Sequence, residues 1–215
     1  MKAAIEAAGL TQRFGAAVPL RGVDLGVGPG ERVAVLGDNG AGKTSLLRLL
    51  ATVARPDAGS LRLFGLDALR QREAVRPRIG YLSHHPGLYG ALSALENLEL
   101  YCTLRGLPRA RAGEALAEVG LEAEAGKPAG RLSRGQQQRV ALARSLLHDP
   151  ELWILDEPDA SLDAAGRALV KRCSEGRTLV LATHDAGFAR SLCDRSLRLK
   201  EGRAIGDSFG LEVIS

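Results

Sequence analysis

Eight consecutive residues, Gly37-Asp38-Asn39-Gly40-Ala41-Gly42-Lys43-Thr44, fit the spacing G-x-x-x-x-G-K-[ST] at every fixed position. Glycines so placed let successive backbone N–H groups close around phosphate oxygens, and a helix starting at the end of the loop adds its positive dipole. Lys43 would then reach the β- and γ-phosphates of a nucleotide, the Thr44 hydroxyl would ligate Mg2+, and Ser45 follows in the same nucleotide-binding run. A glycine turn that caps a helix and leaves a solvated lysine is the plainer alternative.

Two more polar groups stand at the ends of apolar runs. Leu152-Trp153-Ile154-Leu155 leads into Asp156-Glu157, where the first carboxylate can hold Mg2+ and the second can polarise an attacking water. Such a pair alone more often closes a strand or faces solvent; the upstream loop gives it a task. Thr178-Leu179-Val180-Leu181-Ala182-Thr183 leads to His184, at the carboxyl end of an expected strand, where open α/β sheets bind ligands. A histidine there can donate to a γ-phosphate oxygen and hold the water, or be an ordinary structural histidine.

For these groups to meet, a strand, a loop and a helix must follow in that order. The turn Gly28-Pro29-Gly30-Glu31 opens an expected strand at residues 32–36, and residues 44–51 carry the apolar spacing of a helix. Residues 2–27 read as short β-like runs broken by Gly and Pro. Further strands are expected at 60–64 and 79–82. Residues 86–143 are largely helical by period, with breaks at Gly106-Leu107-Pro108 and Gly126-Lys127-Pro128, so they form an inserted helical lobe. A helix is expected near 164–173. The continuous apolar runs at 152–155 and 178–182 have the character of buried parallel strands. The expected fold class is α/β, one domain over 1–215.

Composition agrees with a substantial core: 45% of the 215 residues are hydrophobic and 25% charged. No apolar run approaches the roughly 20 residues that cross a bilayer, and MKAAIEAAGL lacks the basic-then-apolar order of a secretory signal. A soluble, cytoplasmic chain is expected. Cys102, Cys173 and Cys193 have neither metal-type nor disulfide-type spacing and read as core thiols. A formal charge of +4 permits anionic partners, but aromatics are only 4% of residues and do not interleave with a basic run, so no nucleic-acid partner is expected.

Leu132-Ser133-Arg134-Gly135-Gln136 resembles the signature motif of the ATP-binding subunits of ABC transporters, and the resemblance runs from about Phe14 to near Leu199. Ser133 would also cap a helix over 135–147. The resemblance implies a P-loop NTPase of the ABC type, with a RecA-like core, an N-terminal antiparallel β region and the helical lobe. It implies ATP and Mg2+ as cofactors, Phe14 stacked on adenine, Glu157 as catalytic carboxylate and His184 as switch histidine. Ser133, Arg134, Gly135 and Gln136 would contact the ATP of a partner subunit, with Ser161-Leu162-Asp163 as a loop crossing the dimer interface. Each chain would thus hold halves of two sites in an ATP-bridged homodimer. That dimer would sit peripherally on the cytoplasmic face of the membrane beside integral membrane subunits, one of which docks a short helix near residues 84–89. Phe14 could instead be an edge-strand core residue, and Ser161-Leu162-Asp163 a capped helix start.

Two departures from the family pattern stand out. His84 occupies the place of the usual glutamine near the metal or the attacking water, and Arg134 falls at a variable signature position. His84 either takes part in the ATP site or merely faces the cleft edge. HHPGLYGALSALENLELY and LWILDEP resemble the ATP-binding subunits of cytochrome c maturation, or haem exporter, systems, which implies haem handling and a haem chaperone. A drug- or ion-efflux ATPase subunit carries much of the same sequence. A soluble ABC ATPase acting on ribosomes or nucleic acid fits less well, lacking a second cassette or a heptad run, and a module without turnover fits poorly with intact Lys43, Asp156, Glu157 and His184.

Overall fold

In the computed structural model, residues 2–207 are described; residue 1 and residues 208–215 of the expected domain lie outside the described residues. The chain opens with β1 (Ile5–Phe14) and β2 (Ala17–Val27). The short runs expected here are two long strands, because the β1/β2 register absorbs the extra residues as bulges around Gly9 and Gly22. β3 (Arg32–Leu36), α1 (Lys43–Leu50), β4 (Ala58–Leu63), β5 (Leu66–Asp67), α2 (Arg72–Val75) and β6 (Ile79–Leu82) follow. Then come α3 (Ala94–Arg105), α4 (Ala110–Glu118), α5 (Arg134–Leu146), β7 (Leu152–Asp156), α6 (Ala164–Ser174), β8 (Thr178–Ala182), α7 (Ala186–Leu192), β9 (Arg195–Lys200) and β10 (Arg203–Asp207). The one-turn α2 and the two-residue β5 escape the sequence reading, being too short to show a period, and α7 and β10 escape it as well.

Four strands form an antiparallel sheet in the order β2-β1-β4-β5, and six form a central sheet in the order β10-β9-β3-β8-β7-β6. Within the central sheet, β9, β3, β8, β7 and β6 run parallel and β10 closes one edge antiparallel. Successive residues of a strand point to opposite faces, and here they feed two cores. Val33, Val35, Leu152, Ile154 and Val180 pack with α1 and the antiparallel sheet. Ala34, Trp153, Leu155, Leu179 and Leu181 pack with α3, α4, α5 and α6. Both faces are covered, which is why residues 152–155 and 179–182 are apolar throughout.

The helices of the 86–143 segment break near the expected positions. α3 starts at a reciprocal cap, Ser93 with Glu96, and ends at Gly106; Ala129–Arg131 form a one-turn helix before α5. Asn97, fully buried, donates to the Tyr89, Leu92 and Ser93 carbonyls and accepts the Tyr89 N–H. It thereby shapes the loop before α3. α5 is tied to the sheet where Trp153 Nε1 donates to Ser145 Oγ at 2.9 Å. Cys102 and Cys193 are buried, and burial pushes the Cys193 thiol up to about 12. Cys173, late on α6, is half-buried and packs against the same core as the other two. Among the described residues no helix is long and apolar enough to cross a membrane.

Candidate nucleotide site

β3 ends at Leu36 and the loop 37–42 turns directly into α1. Gly42 is the N-cap of α1 at φ 108°, where a Cβ would collide with the Pro19 carbonyl oxygen; only glycine meets both conditions. The turn leads straight into a buried Lys43, whose Nζ donates to the carbonyls of Gly37 at 2.8 Å and Asp38 at 3.2 Å. That ammonium also lies 3.7 Å from Glu157 Oε1.

The pairing of β7 with β8 runs to Asp156 opposite Ala182, so both acidic residues emerge where the strands end. Asp156 is 1% exposed. Its Oδ1 accepts from Thr44 Oγ1 at 3.1 Å, while its Oδ2 is buried with no hydrogen-bond partner. Burial raises its pKa above the ordinary carboxylate range, against the pull of the Thr44 hydrogen bond. An orphaned carboxylate oxygen beside a hydroxyl is an all-oxygen donor set suited to a hard divalent cation, so Thr44 and Asp156 fit Mg2+.

Glu157 sits in the left-handed region, φ 50° and ψ 53°, which costs a residue with a Cβ about 1–2 kcal/mol. Its N–H is pinned to the Ala182 carbonyl at 2.8 Å, and the strained backbone leaves its carboxylate between an ammonium and an imidazole. Lys43 lies by Oε1, and His84 Nδ1 is 3.5 Å from Oε2. His84 therefore does more than face the cleft edge: it touches the same carboxylate as Lys43.

These groups line one cleft in two parts that share Asn39 and Glu157. The smaller, about 300 Å³, is bounded by Gly40, Gly42, Lys43, Thr44, Ser45 and His84, with Pro19. The larger, about 630 Å³, adds Gly37, Asp38 and His184, with Arg198 and Lys200 of β9. The two β9 cations escaped the sequence reading because basic residues alternating with apolar ones along a strand carry no motif. Ala41 is buried within the loop.

Phe14 does not line either part. It is 59% exposed at the end of β1, which excludes the core alternative. Ser133, Arg134, Gly135 and Gln136 are likewise outside the cleft walls, forming the start of α5. Ser133 Oγ accepts the Gln136 N–H at 3.2 Å and Gln136 Oε1 accepts the Ser133 N–H at 2.9 Å, a reciprocal cap. Ser161 ends a short turn after Glu157, Leu162 is buried, and Asp163 caps α6 through Gly166. Asp163 also pairs with Arg139 of α5 at 2.8 Å, so this loop and the start of α5 form a second cluster.

Residues 20–160, which hold the loop, the α5 start and the Asp156-Glu157 pair, match the family described as ABC transporter. The chain belongs to this family. It is an ATP-binding ABC cassette and an ATPase. The cassette is 45% identical over 185 residues to the cytochrome c biogenesis ATP-binding export protein CcmA of Methylococcus capsulatus, covering 83% of this chain and 89% of that one. It is 40% identical to a daunorubicin resistance ATP-binding protein of Streptomyces coeruleorubidus, covering 98% of this chain and 69% of that one. A solved ATP-binding cassette, a dimer in a post-hydrolysis state bound to ADP and Pi, superposes with TM-score 0.86 at 30% identity, covering 95% of this chain and 97% of that one.

Proposed function

We propose that this cassette holds ATP on residues 37–45 and hydrolyses it between two copies of itself, energising integral membrane subunits on the cytoplasmic face of a membrane. The observation that carries this reading is the convergence of Lys43, the Thr44–Asp156 pair and Glu157 on one cleft. Lys43 exchanges its loop carbonyls for the β- and γ-phosphates. Thr44 and Asp156 hold Mg2+, which neutralises charge on the phosphate oxygens when bound. Glu157 takes the proton of the attacking water, and His184 donates to the γ-phosphate. Phe14 offers its exposed ring to adenine.

Ser133, Arg134, Gly135 and Gln136 stand away from this cleft at the positive end of α5, suited to the γ-phosphate held by a partner protomer. Ser161, Leu162 and Asp163 then lie at the same interface. Hydrolysis removes an anion that two copies share, so the dimer opens by loss of differential binding. Membrane subunits dock a short helix at residues 84–89, beside a cavity of about 300 Å³ between β6, α3 and α5. Burial lowers the pKa of Arg105 and Arg144 there, and Arg144 braces the Pro86 and Gly87 carbonyls. Crosslinks from a membrane subunit that map only to the opposite face would remove this assignment.

The identity to CcmA supports a role in haem handling for cytochrome c biogenesis, with a haem-chaperone system as partner. The 40% identity across nearly the whole chain to a daunorubicin resistance protein supports drug efflux as a second reading. Mass spectrometry of the membrane complex purified with this chain separates them: haem-chaperone components accompany the first, a drug-efflux permease the second. For the site itself, Glu157→Gln should keep ATP binding and lower turnover by more than about 10²-fold. Light scattering should then find an ATP-dependent dimer; a monomer under every nucleotide condition would contradict the shared site.

A further inference from the structure

We infer that the hydrogen bond between Asp159 and Thr183 makes Asp159 a positioning residue for His184, tying its loop to the turn that carries Ser161, Leu162 and Asp163. This rests on the reading of His184 as the γ-phosphate donor. Thr183 is fully buried and Asp159 is 5% exposed. Thr183 Oγ1 donates to Asp159 Oδ2 at 2.9 Å and accepts the Asp185 N–H at 3.0 Å. On the far side of His184, Asp185 accepts the Phe188 N–H at 2.9 Å and pairs with Arg167 at 2.7 Å. His184 is thus an exposed side chain on a backbone fixed at both neighbours.

The bond stands where the sheet no longer helps. The β7/β8 ladder ends at Asp156 opposite Ala182, and one backbone bond, Glu157 N–H to Ala182, follows it. Beyond that the two chains separate into loops, and the Asp159–Thr183 pair joins them. Fold stability alone is a poor reason for it. Asp159 Oδ1 is buried without a partner, so its desolvation goes uncompensated, whereas a matched apolar pair would avoid that cost. What the pair supplies is register between two loops.

The other end of the same turn touches α5. A Cβ at Gly135 would come within 3.1 Å of the Ser161 carbonyl oxygen, and Asp163 pairs with Arg139. Residues 157–163 therefore contact both the His184 loop of one half-site and the signature helix that serves the other. A displacement of this turn at a dimer interface would reach His184 through Asp159 and Thr183, linking the two half-sites within one chain.

The test is steady-state Mg-ATPase of the full-length dimer, with turnover and KM measured separately and melting temperature as control. Thr183→Val removes the hydroxyl at nearly constant volume, and a hydrogen bond of ordinary worth predicts about a 10-fold lower kcat with KM for ATP little changed. Thr183→Ser and Asp159→Asn, which keep donor and acceptor, should retain most turnover. In a His184→Ala background, Thr183→Val should lower kcat no further, because the residue being positioned is gone. Asp159→Ala removes the acceptor and must behave as Thr183→Val does, which covers the case in which either variant folds poorly. Parental kcat in both Thr183→Val and Asp159→Ala overturns the inference. So does an undiminished further loss in the His184→Ala background, which marks a merely structural contact. Parental turnover in His184→Ala alone instead removes the reading of His184, and the inference with it.

Discussion

Neutralising Asp156 should stabilise the fold at neutral pH while abolishing hydrolysis. Burial lifts the pKa of this carboxyl in the folded chain, the Thr44 hydrogen bond opposing only in part. A carboxyl raised on folding contributes stability while protonated; that contribution is whole below the unfolded value and is lost as pH rises through the folded value. At neutral pH the parent therefore carries a penalty that Asp156→Asn does not, and in acid, where both side chains are neutral, the difference disappears. The orphaned Oδ2 sets the scale: a buried unsatisfied polar atom costs about 1–3 kcal/mol, and more if charged. At roughly 2–4 °C per kcal/mol for a chain of this size, the melting temperature of the variant relative to the parent should climb by roughly 2–12 °C from about pH 4 to neutrality. Scanning calorimetry in EDTA across that range measures it. Mg2+ with a non-hydrolysable ATP analogue should then raise the parent's melting temperature and leave the variant's little changed. A difference independent of pH, or falling with it, would refute the argument that Asp156 is a desolvated metal ligand.

Two other perturbations test the loop and the adenine contact. Gly42→Ala must place a Cβ at φ 108° against the Pro19 carbonyl, so it should cost at least about 2 kcal/mol in urea unfolding and abolish nucleotide binding; an unchanged midpoint would contradict the steric reasoning. Phe14→Ala should raise KM for ATP, stacking being worth about 1–3 kcal/mol per base, while Phe14→Trp should not, and equal KM values for all three would remove the stacking role.

What could be foreseen from the sequence was whatever repeats a local rule. Strand, glycine loop and helix lie within twenty residues, so their order was readable, and the apolar runs at 152–155 and 178–182 announced strands covered on both faces. The lobe's breaks were marked by Gly106 and Pro108. Thr44 and Asp156 were expected to share Mg2+, but the direct hydrogen bond between them was hidden, as were His84 with Glu157 and Asp159 with Thr183. None has a local pattern: Thr44 lies in the first turn of α1 while Asp156 ends β7, and the other two pairs join loops beyond strand ends. The left-handed backbone of Glu157 was equally invisible, because glutamate gives no sign of it.

The sharing of one sheet between two cores has a consequence for biosynthesis. β3 is flanked by β8 and β9, with Arg32 opposite Leu179 and Val33 opposite Arg195. During translation the nucleotide loop emerges well before β8 and β9, the strands that hold its leading strand in place. Until then β3 lacks both of its sheet neighbours and its backbone edges stay unpaired, so the nascent cassette is open to aggregation, and chaperone demand should track the delay to residue 200 rather than chain length.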